Sequence, residues 1–248
     1  MSHHGMPCWY ELASSDTAAA QQFYTAVLGW GWTNSNTPGM EYLMASTATG
    51  MVAGMMKVES PEQPVAWSFY TAVDDCDATA AKAQSLGAKL IVPPADIPGT
   101  GRFAVLIDPQ GAGFAILQPL PGGQGGAFDQ KQTGHGNWHD HASPDAKAAA
   151  TFYGALFGWT VSRSMPMGPT MTYHVFAANG QDIGGFFDQP GPAAWCVYFG
   201  TSSAAATIAA ITKAGGHVLH GPAEVPGGAF IVQAHDPQGA RFAVVGPA

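Results

Sequence analysis

Charge is scarce in this chain. Only 10% of its 248 residues are Asp, Glu, Lys or Arg, and 9 basic residues against 17 acidic ones leave a formal charge of −8. That speaks against a nucleic-acid partner, whose phosphates need clustered Lys and Arg. Cysteine is also scarce: Cys8, Cys76 and Cys196 are too few and too scattered for a disulfide framework or a paired-cysteine metal site. No apolar run approaches the roughly 20 residues of a membrane span. The N-terminus, MSHHGMPCW, lacks the basic stretch and apolar run of a secretory signal. These absences lead us to expect a cytoplasmic protein without a membrane partner. The low charge also permits association into a homo-oligomer without fixing a stoichiometry.

What the chain has in abundance is repetition. Trp9 to Trp30 reads WYELASSDTAAAQQFYTAVLGW, and Trp138 to Trp159 reads WHDHASPDAKAAATFYGALFGW. Phe23-Tyr24 recurs as Phe152-Tyr153, Gly29-Trp30 as Gly158-Trp159, Trp67 as Trp195, and Asp108-Pro-Gln-Gly111 as Asp236-Pro-Gln-Gly239. Matches in the same order over this length mean two copies of one domain. Each copy is therefore a control for the other.

Within a copy the local signals alternate. Residues 8–14 read as a strand. Ser15-Asp16 then offers a helix cap, apolar residues follow at helical spacing, and Gly29 ends the helix. Strand-like segments near 30–35, 40–46 and 51–58 follow, separated by turns at Asn34–Pro38 and Thr47–Gly50. The pattern then restarts. Ala66–Val73 reads as a strand, Asp77–Leu86 as an Ala-rich helix ended by Gly87, and Lys89–Val92, Arg102–Ile107 and Gly113–Gln118 as strands. Residues 119–136 are Gly-rich and read as a linker. Their glycines do not bracket a strand and helix in the way phosphate binding requires.

A polar strand, an Asp, an Ala-rich helix carrying FYxxxLGW and a later DPxG before a strand resemble the vicinal oxygen chelate superfamily. That is the fold of glyoxalases, bleomycin-resistance proteins and extradiol dioxygenases. Asp16, Phe23-Tyr24, Leu28-Gly29-Trp30 and Asp108-Pro-Gln-Gly111 carry the resemblance, with their second-copy equivalents. It implies an α+β protein of two tandem glyoxalase-like domains, residues 6–118 and 137–247, joined by 119–136. Each domain would hold two βαβββ units that form a cup-shaped sheet with helices outside. It also implies where metal ligands would stand in metal-bearing members. Counting from the motifs gives Trp9, Gly54, Ser68 and Ala115 in the first copy, and Trp138, Gly185, Cys196 and Ala243 in the second. A divalent ion needs several converging N, O or S donors, and this set lacks them. No metal or other cofactor is therefore expected, with a divalent metal as the runner-up.

Side chains alternate along a strand. If Trp9 points into its cup, Glu11 does too, and Ser68 and Tyr70 share the opposite wall. The second copy repeats this with Trp138, Asp140, Cys196 and Tyr198. Met56 and Phe187 would add apolar lining, while small residues such as Gly54, Ala115, Gly185 and Ala243 would leave volume for a ligand. An aromatic wall with a few polar groups suits a small, partly planar molecule. Glu11 or Asp140 could serve as a general acid or base, with Tyr70 or Tyr198 orienting a substrate. The plainer alternative is that these carboxylates accept hydrogen bonds and hold strands together, and that the tryptophans plug the cups. His139 and His141 lie two apart on one strand face. With His174 or His235 they could hold a metal, or they could simply pack against the helices.

Three functions compete. The first is a binding protein for a small aromatic or hydrophobic compound. The second is a metal-independent lyase, isomerase or hydrolase using Glu11 or Asp140. The third is a metal-dependent dioxygenase or glyoxalase.

Overall fold

Asp16 and Gly29 bound the first helix through their chemistry. The Asp16 carboxylate accepts from the Ala19 backbone N–H at 2.9 Å. Gly29 takes a left-handed conformation, φ 71°, and donates its own N–H to the Thr25 carbonyl. Asp145 and Gly158 repeat both devices around the helix of the second copy. A computed structural model describes residues 3–35, 41–123, 125–168 and 171–248. Positions 36–40, within the turn expected at Asn34–Pro38 and at the start of the strand expected at 40–46, lie outside the described residues, as does Gln124 of the Gly-rich segment.

The first copy runs β1 Pro7–Ser14, α1 Thr17–Leu28, β2 Gly31–Asn34, β3 Tyr42–Thr47 and β4 Gly50–Lys57. It continues β5 Ala66–Ala72, α2 Cys76–Ser85, β6 Lys89–Ile97, β7 Gly101–Ile107 and β8 Gly113–Pro119. The second copy runs β9 Gly136–Ser143, α3 Ala146–Phe157, β10 Thr160–Pro166, β11 Thr172–Ala178 and β12 Gln181–Asp188. It ends with β13 Ala194–Gly200, α4 Ala204–Lys213, β14 His217–Val225, β15 Ala229–His235 and β16 Arg241–Gly246. The strands form two eight-stranded sheets, ordered β2-β3-β4-β1-β5-β8-β7-β6 and β10-β11-β12-β9-β13-β16-β15-β14. This is the α+β arrangement of paired βαβββ units. Among the described residues no helix is long and apolar enough to cross a membrane.

Two details differ from the sequence reading. Strand β6 does not stop at Val92 but continues through Pro93 and Pro94 to Ile97. It lies at a sheet edge, where a missing N–H is tolerated, and its register shifts between Leu90 and Ala95 absorb the prolines. Within the Gly-rich segment read as a linker, residues 126–136 also make specific contacts. Ala127 is buried, the Trp30 indole N–H donates to Gly134 O at 2.9 Å, and the buried His135 ring bonds to Gly126 O and Thr49.

Contacts gather into two compact units, each built from parts of both copies. One unit holds residues 1–8, 68–125 and 139–196, and the other holds 9–67, 126–138 and 197–248. In the first, Asp108 of the DPQG turn accepts from the Tyr153 hydroxyl at 3.0 Å, and Tyr153 accepts from the Trp195 indole at 3.1 Å. In the second, Asp236 accepts from Tyr24 at 3.0 Å, and Tyr24 accepts from Trp67 at 2.7 Å. The other oxygen of each Asp closes its own turn by accepting two backbone N–H groups, those of Gln110 and Ala112 or of Gln238 and Ala240. The DPQG turn of each copy is thus tied to the FY helix of the other.

The two chains of bonds differ at one position. His141 Nε2 lies 2.9 Å from Asp108 Oδ2, whereas Leu12 holds the matching place in the first copy. His141 Nδ1 is buried and bonds to no described residue, and the Trp195 and Phe186 rings stand 4.7 and 5.6 Å from the imidazole. Nε2 is therefore the ring nitrogen that donates to Asp108, since a carboxylate oxygen accepts. Burial pushes the Asp108 carboxyl up, but the hydrogen bonds from His141, Ala112 and Gln110 outweigh it and hold the group below the usual aspartate range. Asp236 lacks the histidine, and burial keeps it above that range.

A depressed carboxyl pKa adds stability above the unfolded value, and that contribution is lost as pH falls through the folded value. A raised one costs stability as pH rises through the same kind of window. Asp108 is of the first kind and Asp236 of the second. Replacing His141 by Leu is expected to raise the Asp108 midpoint in a carbon-13 NMR titration. It should also shrink the loss of stability seen in urea unfolding as pH drops from about 6 to about 3. An unchanged Asp108 midpoint would contradict this assignment.

Candidate functional site

Strands β1, β3 and β4 place the first set of polar groups. Glu11 pairs with Gly54 and Ala13 with Met56 along β1 and β4, while Tyr42 of β3 pairs with Met56. Paired residues share a sheet face, so Trp9, Glu11, Tyr42, Gly54 and Met56 stand together. Tyr10 and Leu12 point the other way and are fully buried. The Trp9 indole donates to the Tyr42 hydroxyl at 2.9 Å, and Tyr42 donates to Glu11 Oε2 at 2.9 Å. Burial, reinforced by the Glu11 charge, pushes the Tyr42 hydroxyl pKa far up, so the phenol keeps its proton for that bond.

The second copy repeats the pairing. Asp140 pairs with Gly185, and Tyr173 of β11 pairs with Phe187. The Tyr173 hydroxyl donates to Asp140 Oδ1, and its ring stacks on Phe187 with centroids 5.9 Å apart. Trp138 stands on β9, half-buried, in the other compact unit.

Tyr42 and Tyr173 overturn one expectation. Gly54 and Gly185 do not leave open volume. A Cβ built on Gly54 would lie 1.8 Å from the Tyr42 hydroxyl oxygen, and one on Gly185 would lie 1.9 Å from the Tyr173 ring. The glycines are the seats of the tyrosines. Sequence reasoning missed both because β3 and β11 lie far along the chain from Glu11 and Asp140. The signal present was their equivalence: the GGF–Tyr173 pairing in the second copy answers AGM–Tyr42 in the first.

The remaining candidate residues lie on β5, β8, β13 and β16. Tyr70 pairs with Ala115 and leans on Phe103 at 6.3 Å, and Ser68 is half-buried two residues before it. Tyr198 pairs with Ala243 and accepts from the Gln233 amide at 2.7 Å. Both tyrosines are well covered, Tyr70 at 5% and Tyr198 at 2% exposure. Cys196 is buried.

The histidines are dispersed. His139 is buried, donates Nδ1–H to Ile183 O at 2.7 Å and lies 4.4 Å from the Phe69 ring, and burial lowers its pKa to about 4. His141 serves Asp108, and His174 bonds to Ser164 at 2.8 Å. His235 stands on β15 opposite Arg241. Among the described residues no group of three or more His, Cys, Asp or Glu could hold a metal ion.

Comparison with known proteins is consistent along the whole chain. Residues 8–116 match the glyoxalase/bleomycin resistance protein/dioxygenase superfamily, and residues 139–245 match a glyoxalase-like domain. The chain is 35% identical, over 98% of its length and 95% of the relative, to CFP32 of Mycobacterium bovis, provisionally named a glyoxylase. It is 31% identical to the anthracycline biosynthesis protein DnrV of Streptomyces peucetius, over 97% of this chain and 93% of that one. The Mn(II)-bound glyoxalase from Novosphingobium aromaticivorans shares the fold with a TM-score of 0.69 at 17% identity, over 99% of this chain and 83% of that one. A variant of homoprotocatechuate 2,3-dioxygenase from B. fuscum does so with a TM-score of 0.67 at 17% identity, over 96% and 70%.

The seating of Tyr42 on Gly54 gives a direct test. Gly54→Ala is expected to destabilise the protein by about 1–3 kcal/mol through overpacking. In a Tyr42→Ala background the same change should cost much less, so a double-mutant cycle in urea should be strongly non-additive. Additive costs would show that the tyrosine does not occupy that space.

Proposed function

The chain belongs to the glyoxalase/bleomycin resistance protein/dioxygenase superfamily, and on that premise we propose that it binds a small aromatic or hydrophobic compound without a divalent ion at the family's ligand positions. The observation that carries this reading is the carboxylate held by a tyrosine in both copies, Glu11 by Tyr42 and Asp140 by Tyr173. A carboxylate engaged in this way is a fixed acceptor more than a free base.

The donor set supports the metal-independent part. Trp9, Gly54 and Ala115, with Trp138, Gly185 and Ala243, bring no side-chain ligand, and Ser68 and Cys196 each stand as one donor where several must converge. Trp9 already spends its N–H on Tyr42, and both glycines lie beneath tyrosine rings. Aromatic groups beside these carboxylates, Trp9 in one set and Phe187 in the other, suit a planar apolar ligand. The similarity to a protein named for anthracycline biosynthesis points toward small-molecule chemistry as well.

Thermal unfolding against a panel of aromatic and hydrophobic compounds tests the reading. A ligand at one hundred times its Kd stabilises by about 2.7 kcal/mol, which raises the midpoint by several degrees. We expect at least one saturable ligand, bound more weakly by Tyr42→Phe or Tyr173→Phe. A panel without any midpoint shift contradicts the proposal. If a bound compound is instead turned over, and Glu11→Gln or Asp140→Asn slows that turnover about tenfold or more, general acid–base catalysis replaces simple binding.

A further inference from the structure

The chain has three arginines, and two have carboxylate partners. Arg102 binds Asp77 and Asp96, and Arg163 binds Asp182. Arg241 is different. It is half-buried on β16, its Nη2 donates to Gln233 Oε1 at 2.7 Å, and its buried Nε bonds to no described residue. Among the described residues no carboxylate pairs with it. Gln233 is itself fixed, because its amide donates to the buried Tyr198 hydroxyl at 2.7 Å. The guanidinium is therefore oriented by a neutral relay, with the rest of its fork uncommitted.

The strands around it add imidazoles. His235 of β15 pairs with Arg241 of β16, His217 of β14 pairs with His235, and His220 pairs with Gln233. Paired residues share a face, so these groups lie on one side of β14, β15 and β16. The opposite side carries the buried Val232, Ala234, Phe242 and Val244 of the core. On the polar side His217 and His220 are exposed, and Gln233, His235 and Arg241 are half-buried, so a ligand can reach them.

The first copy shows that the fold does not need this set. At the matching positions of β6, β7 and β8 it has Lys89, Val92, Ile107, Val105 and Gly113, in the same pairings. Only the tyrosine, Tyr70 for Tyr198, is common to both. A half-buried guanidinium without a counter-charge is costly, and a carboxylate is the group whose two oxygens match its fork.

We propose that the face of β14, β15 and β16 carrying Arg241, Gln233, His217, His220 and His235 binds the carboxylate of a small organic acid, a specificity the first copy lacks. Arg241 takes the anion, the histidines add N–H donors, and Gln233 and Tyr198 are positioning residues. This rests on the reading of the protein as a small-molecule binder and names the class of molecule its second copy selects.

The test compares benzoate with its neutral isostere benzamide by calorimetric titration of the full chain. Wild type is expected to bind benzoate at least about tenfold more tightly, the scale of one charge-assisted bidentate contact. Arg241→Gln should abolish that preference, and Arg241→Lys, which keeps the charge but not the fork, should reduce it while retaining wild-type unfolding. Equal binding of both probes, or a preference unchanged in both variants, overturns the carboxylate site but leaves small-molecule binding standing. Binding of neither probe also overturns the carboxylate site, while the thermal-unfolding panel decides small-molecule binding separately.

Discussion

A carboxylate in the turn between β7 and β8, and its counterpart between β15 and β16, ties parts of the two copies together within each compact unit. One oxygen of Asp108 or Asp236 closes its own turn through two backbone N–H groups. The other accepts a tyrosine hydroxyl from a helix of the opposite copy, and that hydroxyl accepts a tryptophan N–H. Such a group cannot be lost cheaply, because the Tyr153 and Tyr24 hydroxyls are fully buried and would be left without their acceptor. The repeated FY and DPQG motifs are therefore halves of one interaction, realised twice with the copies exchanged.

Duplication also separates what the fold needs from what each copy has added. Tyr, Trp and Asp are kept in both buried chains. His141 is added to one of them, where its hydrogen bond helps bring the carboxyl below the usual range against the upward push of burial. The acid–tyrosine clamp is likewise kept, as Glu11–Tyr42 and Asp140–Tyr173. The polar face around Arg241 is present in one copy and replaced by Lys89, Val92, Val105, Ile107 and Gly113 in the other.

Much of the fold was legible in the sequence because its signals are local. Helix caps at Asp16 and Asp145, left-handed glycines at 29 and 158 and alternating strands follow from short-range chemistry. The orientation of Tyr10, Leu12, His139 and His141 away from the Trp9 and Trp138 face followed from strand alternation once the family resemblance had set that register. What escaped was nonlocal. Glu11 meets a tyrosine 31 positions away on β3, and Asp108 one 45 positions away in the other copy. Spacing carries no information about such pairs. Gly54 and Gly185 were misread for the same reason, since a missing side chain looks like room until the ring that fills it is located. Strand β6 outran its prolines because edge position, a property of the sheet, decides whether proline is tolerated.

The proposed binding through side chains, without an ion at the family's ligand positions, is open to measurement by mass-spectrometric metal analysis of protein purified without chelators and calorimetric titration of Mn(II), Fe(II), Zn(II) and Ni(II). Metal content far below one ion per chain and no saturable uptake at either copy are expected. One or two tightly held ions per chain, released when Glu11 or Asp140 is replaced, would contradict the proposal.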